Sequence, residues 1–525
     1  MGWTDVIGLD CLEARGRAVV RHDGRQILVM RTDKGVFACA NRCPHQGYPL
    51  SEGVLSDGCV LTCNWHNWKF DLADGRTLVG GDRLRRFPAR VEAGRVLLDL
   101  TAEDPRERRE RVLAGLHRAL EDGDQERLVR ETARLIALGA DGAEAVSEAV
   151  EWAAGRLEFG TTHALAAAPD WLTLHDSHRG RADERLAALG EILGHIADDA
   201  RGRQTLIPSP TLEAPWSEPA FLAAIEAEDE IGAVAALRGA VRAGIAVGDL
   251  LPSLLRAALA HYADFGHSLI YAVKTAALAR RLGPATAETL LSLLARSLVY
   301  ARREDLLPEF RDYRARLEAW GRPAAGSPPL TALALRNLSA KSAMAVVGKW
   351  SASHPPEAIF EVLLEASAWT LLHVDADRLV STKNKIADNV GWLDFTHALT
   401  FADAGRMAVR VAPELWPAVL LQLACFVGRN AAYLDPVLDV SPFMVGDADA
   451  FLAVATARLF DHGQAGFIIS AHLIKTLMAA KALAAASPRN APILFSAANR
   501  FLAAPIKRRH VLRTARQMRA FVAQE

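Results

Sequence analysis

Short runs of strand length crowd the first hundred residues. ArgAlaValValArg at 17–21, GlnIleLeuValMet at 26–30 and ValPheAlaCysAla at 36–40 are rich in β-prone residues. Asp23-Gly24 lies between the first two, a two-residue hairpin signal because glycine tolerates positive φ. Asp57-Gly58, Asp74-Gly75 and Ala93-Gly94 punctuate the later runs, and the last leads into ArgValLeuLeuAspLeu at 95–100. The pattern predicts a small all-β module of antiparallel strands over residues 1–100.

At about residue 101 the period changes. ThrAlaGluAspProArgGluArgArgGluArg (101–111) reads as a charged linker or first helical turn, with Thr101 as N-cap and Pro105 early in the helix. Beyond it, apolar residues recur at spacings of three and four, as in LeuLeuSerLeuLeuAlaArgSerLeuValTyr at 290–300. Gly139, Pro169, Pro208, Pro252, Pro308 and Pro413 are expected to separate roughly twenty helices. The segment 201–220, with Pro208, Pro210, Pro215 and Pro219, reads as an internal crossover loop. The expected fold is therefore multidomain, a small all-β module (1–100) followed by a large all-α domain (101–525).

Composition narrows the function classes. Lys+Arg total 61 and Asp+Glu 62, a net charge of −1 that removes the electrostatic case for binding nucleic acid. With no run of about 18 uncharged apolar residues, no membrane span is expected. The N-terminus, MGWTDVIGLDCLEARG, has no basic segment ahead of an apolar run, so no secretory signal is read and a cytoplasmic location is expected. Five of the six cysteines (Cys11, Cys39, Cys43, Cys59, Cys63 and Cys425) fall in the first 63 residues. That clustering suits a metal in a reducing compartment better than a disulfide scaffold.

The β module holds CysProHis at 43–45 and, after seventeen intervening residues, CysAsnTrpHis at 63–66. This C-x-H…C-x-x-H spacing resembles the Rieske [2Fe-2S] domain, in which two thiolates hold one iron and two imidazoles the other. The resemblance implies that Cys43 and Cys63 bind the inner iron and His45 and His66 the outer one. Arg42 and Gly47 beside the first motif, and Trp68, Phe70 and Gly75 after the second, agree with it. A Cys2His2 zinc site is the alternative for the four ligands, but it does not explain the W-x-F-x-x-x-x-G pattern. High-potential members of the family carry an extra disulfide and a Ser and a Tyr that donate to the cluster. The corresponding places here hold Gln46 or Gly47, Trp65, Trp68 and Phe70. Fewer donors imply a lower potential and the ferredoxin and oxygenase branch. Cys39 and Cys59 are expected to be ordinary buried cysteines.

The helical part carries two internal echoes. ThrHisAlaLeu occurs at 162–165 and 396–399, and Gly266-His267 through Lys274-Thr275 is echoed by Gly466 through His472, Lys475 and Thr476. Their common order suggests duplicated halves, about 101–300 and 326–525, bringing four histidine-bearing helices around a two-fold axis. Asp394 and His397 are three apart and share a helical face, a metal-ligand spacing. The candidates for a second site, an additional non-haem iron, are His163, His267, Asp394, His397 and His472. His175 and His178 form a further candidate pair. Residues 392–429, WLDFTHALTFADAGR followed by PELWPAVLLQLACFVGR, resemble the questin oxidase-like proteins, which implies oxygen chemistry on aromatic molecules.

These features predict an oxidoreductase of monooxygenase type. The Rieske module would transfer electrons from an external ferredoxin or NAD(P)H-dependent reductase to the helical domain, which would oxidise an apolar small molecule. No G-x-G-x-x-G follows a predicted strand, so the reductase is expected on another chain. The alternative is a Rieske ferredoxin fused to a non-catalytic helical domain that docks a partner, although no regular repeat period is visible.

Overall fold

The computed structural model describes residues 2–205, 212–323, 326–386, 389–506 and 511–523. Pro208 and Pro210 of the expected crossover loop lie outside the described residues. The chain forms two compact units, Met1–Gly115 and Leu116–Glu525. The division falls inside the helix Pro105–Asp122, not at residue 100.

The first unit contains β1 (Trp3–Gly8), β2 (Arg17–His22), β3 (Arg25–Thr32), β4 (Gly35–Ala40), β5 (Val54–Ser56), β6 (Val60–Thr62), β7 (Lys69–Asp71), β8 (Thr77–Val79), β9 (Arg86–Phe87), β10 (Ala89–Glu92) and β11 (Arg95–Asp99). They form three antiparallel sheets, ordered β1-β11-β10, β2-β3-β4-β9 and β5-β6-β7-β8. Asp23 and Gly24 have φ of 46° and 74°, the two left-handed residues a twisted two-residue hairpin needs between β2 and β3. The unbroken apolar run in β3 reflects a strand buried on both faces. Ile27 and Val29 enter a core with Leu12, Val96 and Leu98, while Leu28 and Met30 enter one with Leu50, Leu61, Phe70 and Leu72. That second core also contains Cys43 and Cys63.

The second unit is helical, with twenty α-helices among the described residues from Pro105 onward, and the chain is 61% helical overall. Two expected breakers are not breakers: Pro169 lies inside the helix His163–Ser177 and Pro252 inside Val247–Leu259. Each proline costs one backbone hydrogen bond. Both helices are apolar and heavily buried, and tertiary packing carries them through the defect. The reading that nothing is long and apolar enough to cross a membrane also needs correction. Pro413–Tyr433 and Phe467–Ala486 reach mean hydropathies of 1.2 and 1.4, with 67% and 72% of the apolar window buried inside the protein.

Four helices matter for the site: His163–Ser177, His267–Leu282, Trp392–Val411 and Phe467–Ala486. Each packs on the next, and the last returns to the first, closing a ring. The two partners of each sequence echo sit on diagonally opposite helices of that ring.

Candidate metal centres

In the first unit, Cys43 and Cys63 open two loops that are near copies. The Cys43 N–H donates to the Tyr48 carbonyl (2.8 Å) and its own carbonyl accepts from Gly47 N–H (2.8 Å). The Cys63 N–H donates to the Trp68 carbonyl (2.8 Å) and its carbonyl accepts from Asn67 N–H (3.1 Å). The residue four past each cysteine is left-handed, Gly47 at φ 78° and Asn67 at φ 59°. Both loops hang from short strands whose apolar residues fill the core beneath them.

This geometry sorts the four ligands by depth. The thiols are buried, Cys43 at 3% and Cys63 at 1% exposure, and neither is in a disulfide. Burial pushes the Cys43 thiol up to about 11, opposed by the backbone N–H groups of His45 and Gln46 that point at its sulfur. His45 is half-buried and His66 exposed, with ring centroids 4.6 Å apart at 76°. Two soft donors inside and two imidazoles at the rim fit a Rieske cluster, and backbone donors aimed at the inner sulfur stabilise negative charge there. His45 stacks on Trp68, with centroids 4.6 Å apart and planes 10° apart. The same indole lies against Gly80, where a Cβ would come within 2.3 Å of it. Cys39 is fully buried and its thiol is pushed up to about 12 by burial, while Cys59 is half-buried with Lys34 Nζ 3.5 Å from its sulfur.

In the second unit the ring of helices converges histidines. His163 and His267 are the first residues of their helices, and His397 and His472 sit one and a half turns into theirs. The His267 Nε2 lies 3.2 Å from His163 Nε2 and 2.9 Å from His397 Nε2. One ligand nitrogen from each of the three lies within 4.8 Å of the others. A neutral imidazole nitrogen carries either a proton or a lone pair, so His267 Nε2 cannot satisfy both contacts as hydrogen bonds. A metal would satisfy them. Two nitrogens about 2.1 Å from one ion are about 3.0 Å apart at a right angle and about 3.4 Å apart at the tetrahedral angle.

Burial acts on three of the four rings, and polar neighbours lie beside two of them. Burial is the leading cause that holds His163, His397 and His472 well below the usual histidine range, and Lys475 adds to it at each. The Asp264 carboxylate lies 3.3 Å from His267 Nδ1, and the Tyr271 hydroxyl 3.3 Å from His163 Nδ1. Such outer partners fix which ring nitrogen faces a metal. Asp264, Phe265 and Gly266 are consecutively left-handed, with φ of 47°, 53° and 76°. Two strained non-glycine residues directly before His267 are a local cost of the kind concentrated at functional sites. Glu304 accepts from Phe265 N–H at 2.9 Å and Arg429 covers the Phe265 ring, so the strained turn is held from both sides.

Of the expected second-site residues, the structure brings His163, His267 and His397 together and places the His472 ring beside them. Asp394 is not among them. Its carboxylate accepts the N–H of the N-cap residue Gly391 at 2.7 Å at the start of its helix. His175 pairs with Asp176 (2.9 Å) and His178 with the Leu174 carbonyl (2.8 Å) at the far end of the His163 helix. Sequence reasoning missed Asp264 and Tyr271. The signal was present, because Asp-Phe-x-His occurs at 264–267 as well as at 394–397.

Comparison with known proteins follows this geometry. Residues 2–85 match the family model of the Rieske [2Fe-2S] domain. The ferredoxin component of the alkene monooxygenase system of Xanthobacter autotrophicus is 32% identical over 97 residues, 18% of this chain and 80% of that protein. A 4beta-methylsterol monooxygenase of Methylococcus capsulatus is 35% identical over 91 residues, covering 15% of this chain. The chain spans only 24% of that enzyme's length. Among solved structures, the ferredoxin of carbazole 1,9a-dioxygenase from Nocardioides aromaticivorans matches 19% of this chain and 100% of its own, at 24% identity and a TM-score of 0.18.

Proposed function

Because the chain belongs to the Rieske [2Fe-2S] family through its N-terminal module, we propose that it is an oxidoreductase whose helical unit uses the module's electrons to oxidise an apolar small molecule with O2. Bound by Cys43, His45, Cys63 and His66, the cluster supplies one-electron transfer. The observation that carries the proposal is the convergence of His163, His267 and His397. Three imidazoles would hold an iron and leave positions open on it, as oxygen-activating sites require.

The balance is that of a monooxygenase. One O2, two electrons and two protons convert a C–H bond of the substrate to C–OH and release one water. The electrons arrive singly, from an external ferredoxin or NAD(P)H-dependent reductase. The relatives support the substrate class through what they are named for, an alkene and a methylsterol system. Within this chain, Asp264 lies beside the His267 ring and Tyr271 beside the His163 ring, and burial favours the neutral form of His163 and His397.

The test is His397→Ala in the full chain. Iron should fall by one per chain and reductase-driven O2 uptake should be lost, while the cluster's reduced-state EPR spectrum stays unchanged. Wild-type protein that never holds iron beyond the cluster, with O2 uptake unaffected by the substitution, would leave the helical unit as a docking domain.

A further inference from the structure

We infer that His472 is the fourth ligand of the helical centre, so that the metal is held by four imidazoles and no carboxylate. The inference deepens, and rests on, the reading of the histidine cluster as a metal site.

Three observations carry it. First, the four rings neighbour one another in a closed circuit that includes the three histidines whose ligand nitrogens lie within 4.8 Å of one another. Successive centroids are 4.8 Å (His163–His267), 4.6 Å (His267–His397), 5.3 Å (His397–His472) and 4.8 Å (His472–His163) apart, with 6.4 Å across the His163–His397 diagonal. His472 occupies the corner that the other three leave open. Second, its orientation is fixed. Nδ1 lies 2.7 Å from the Ile468 carbonyl, which can only accept, so Nδ1 carries the proton and Nε2 the lone pair. His472 is 2% exposed, and its Nε2 is buried with no hydrogen-bond partner. An orphaned buried nitrogen costs about 1–3 kcal/mol, and a metal removes that cost. The carbonyl-anchored Nδ1–H is also the usual outer support of a metal-bound histidine.

Third, three of the nearby carboxylates have partners of their own. Asp394 caps its helix through Gly391, Asp264 faces His267 Nδ1 at 3.3 Å, and Asp170 pairs with Lys274 Nζ at 2.6 and 2.8 Å. Among the described residues, no carboxylate oxygen groups with the His163, His267 and His397 nitrogens.

The experiment uses anaerobically purified full-length protein with its cluster intact. Nitric oxide added to a ferrous mononuclear centre gives a high-spin EPR signal distinct from that of a reduced Rieske cluster. Pulsed EPR on that adduct counts the coordinated imidazoles. Wild type should show four. His472→Gln keeps a polar side chain of similar reach, and His472→Ala opens a cavity; each should weaken iron retention at least ten-fold. Their nitric oxide spectra should shift, added imidazole should restore the His472→Ala signal, and the cluster spectrum should not change. Three coordinated imidazoles in wild type, or unaltered iron retention and nitric oxide spectra in both variants, would overturn the assignment while leaving the metal site standing. Absence of any nitric oxide signal in wild type would instead remove the site itself, and the assignment with it.

Discussion

Gly80→Ala would drive a methyl group into the indole that supports a cluster ligand. The new Cβ would sit 2.3, 2.6 and 2.8 Å from three atoms of Trp68, far inside contact distance. Gly80 also has φ of 120°, a conformation that costs a non-glycine residue about 1–3 kcal/mol. Overpacking adds about 1–3 kcal/mol, for a total of about 2–6 kcal/mol. Trp68 can relieve part of this only by moving, and His45 is stacked on it at 4.6 Å. The substitution should therefore lower the midpoint for loss of cluster colour in denaturant and also shift the EPR of the reduced cluster. Iron in the helical unit should be retained. A Gly80→Ala protein whose cluster bleaches at the wild-type denaturant concentration and gives the wild-type EPR spectrum would refute the reasoning.

The cluster lacks hydroxyl donors at Trp68 and Phe70, so its midpoint potential should fall between about −150 and 0 mV by protein-film voltammetry; a value near +300 mV would contradict the argument. Lys475 is 2% exposed and burial lowers it from 10.5 to about 7, so the folded chain bears the full cost of a buried ammonium below pH 7 and progressively less as pH rises toward 10.5. Lys475→Met should accordingly stabilise the protein by at most about 5 kcal/mol at pH 6 and about 2 kcal/mol at pH 9 in urea melts, and a gain that grows with pH would be the wrong sign. Asp264→Asn should reduce iron affinity of the helical centre about 10–100-fold in chelator competition with the cluster spectrum intact, because it removes only the charge behind His267.

The Rieske family was legible in sequence because the motifs that carry it are local. Two loops of a few residues each carry a cysteine and a histidine, and the flanking Trp68, Phe70 and Gly75 fix the surrounding turns. Strands β2, β3, β4 and β11 were equally plain, since the dipeptide turns and apolar runs act over short range, while β1 and the short β5–β10 were not picked out. The helical centre was legible only in part. The repeated ThrHisAlaLeu pointed to His163 and His397, but which helices meet depends on packing that no local pattern encodes. Asp394 illustrates the ambiguity. A residue three before a histidine shares its face, yet the third position of a helix is also where a carboxylate can accept the N-cap N–H, and here that bond to Gly391 wins. At the matching Asp264-Phe-Gly-His267, Asp264 lies before the helix begins, and the left-handed turn brings its carboxylate to the ring. Proline was overread as well. At Pro169 and Pro252 the burial of a long apolar helix outweighs one lost hydrogen bond.

The central claim is that one chain holds two separate metal centres, and iron and acid-labile sulfide counted on the same anaerobically purified protein test it most directly. A Rieske cluster alone contributes two irons and two sulfides. With an iron at His163, His267 and His397, the count should be three irons to two sulfides per chain, falling to two and two in His397→Ala. Two irons and two sulfides in wild type, unchanged after anaerobic incubation with ferrous iron, would contradict the account.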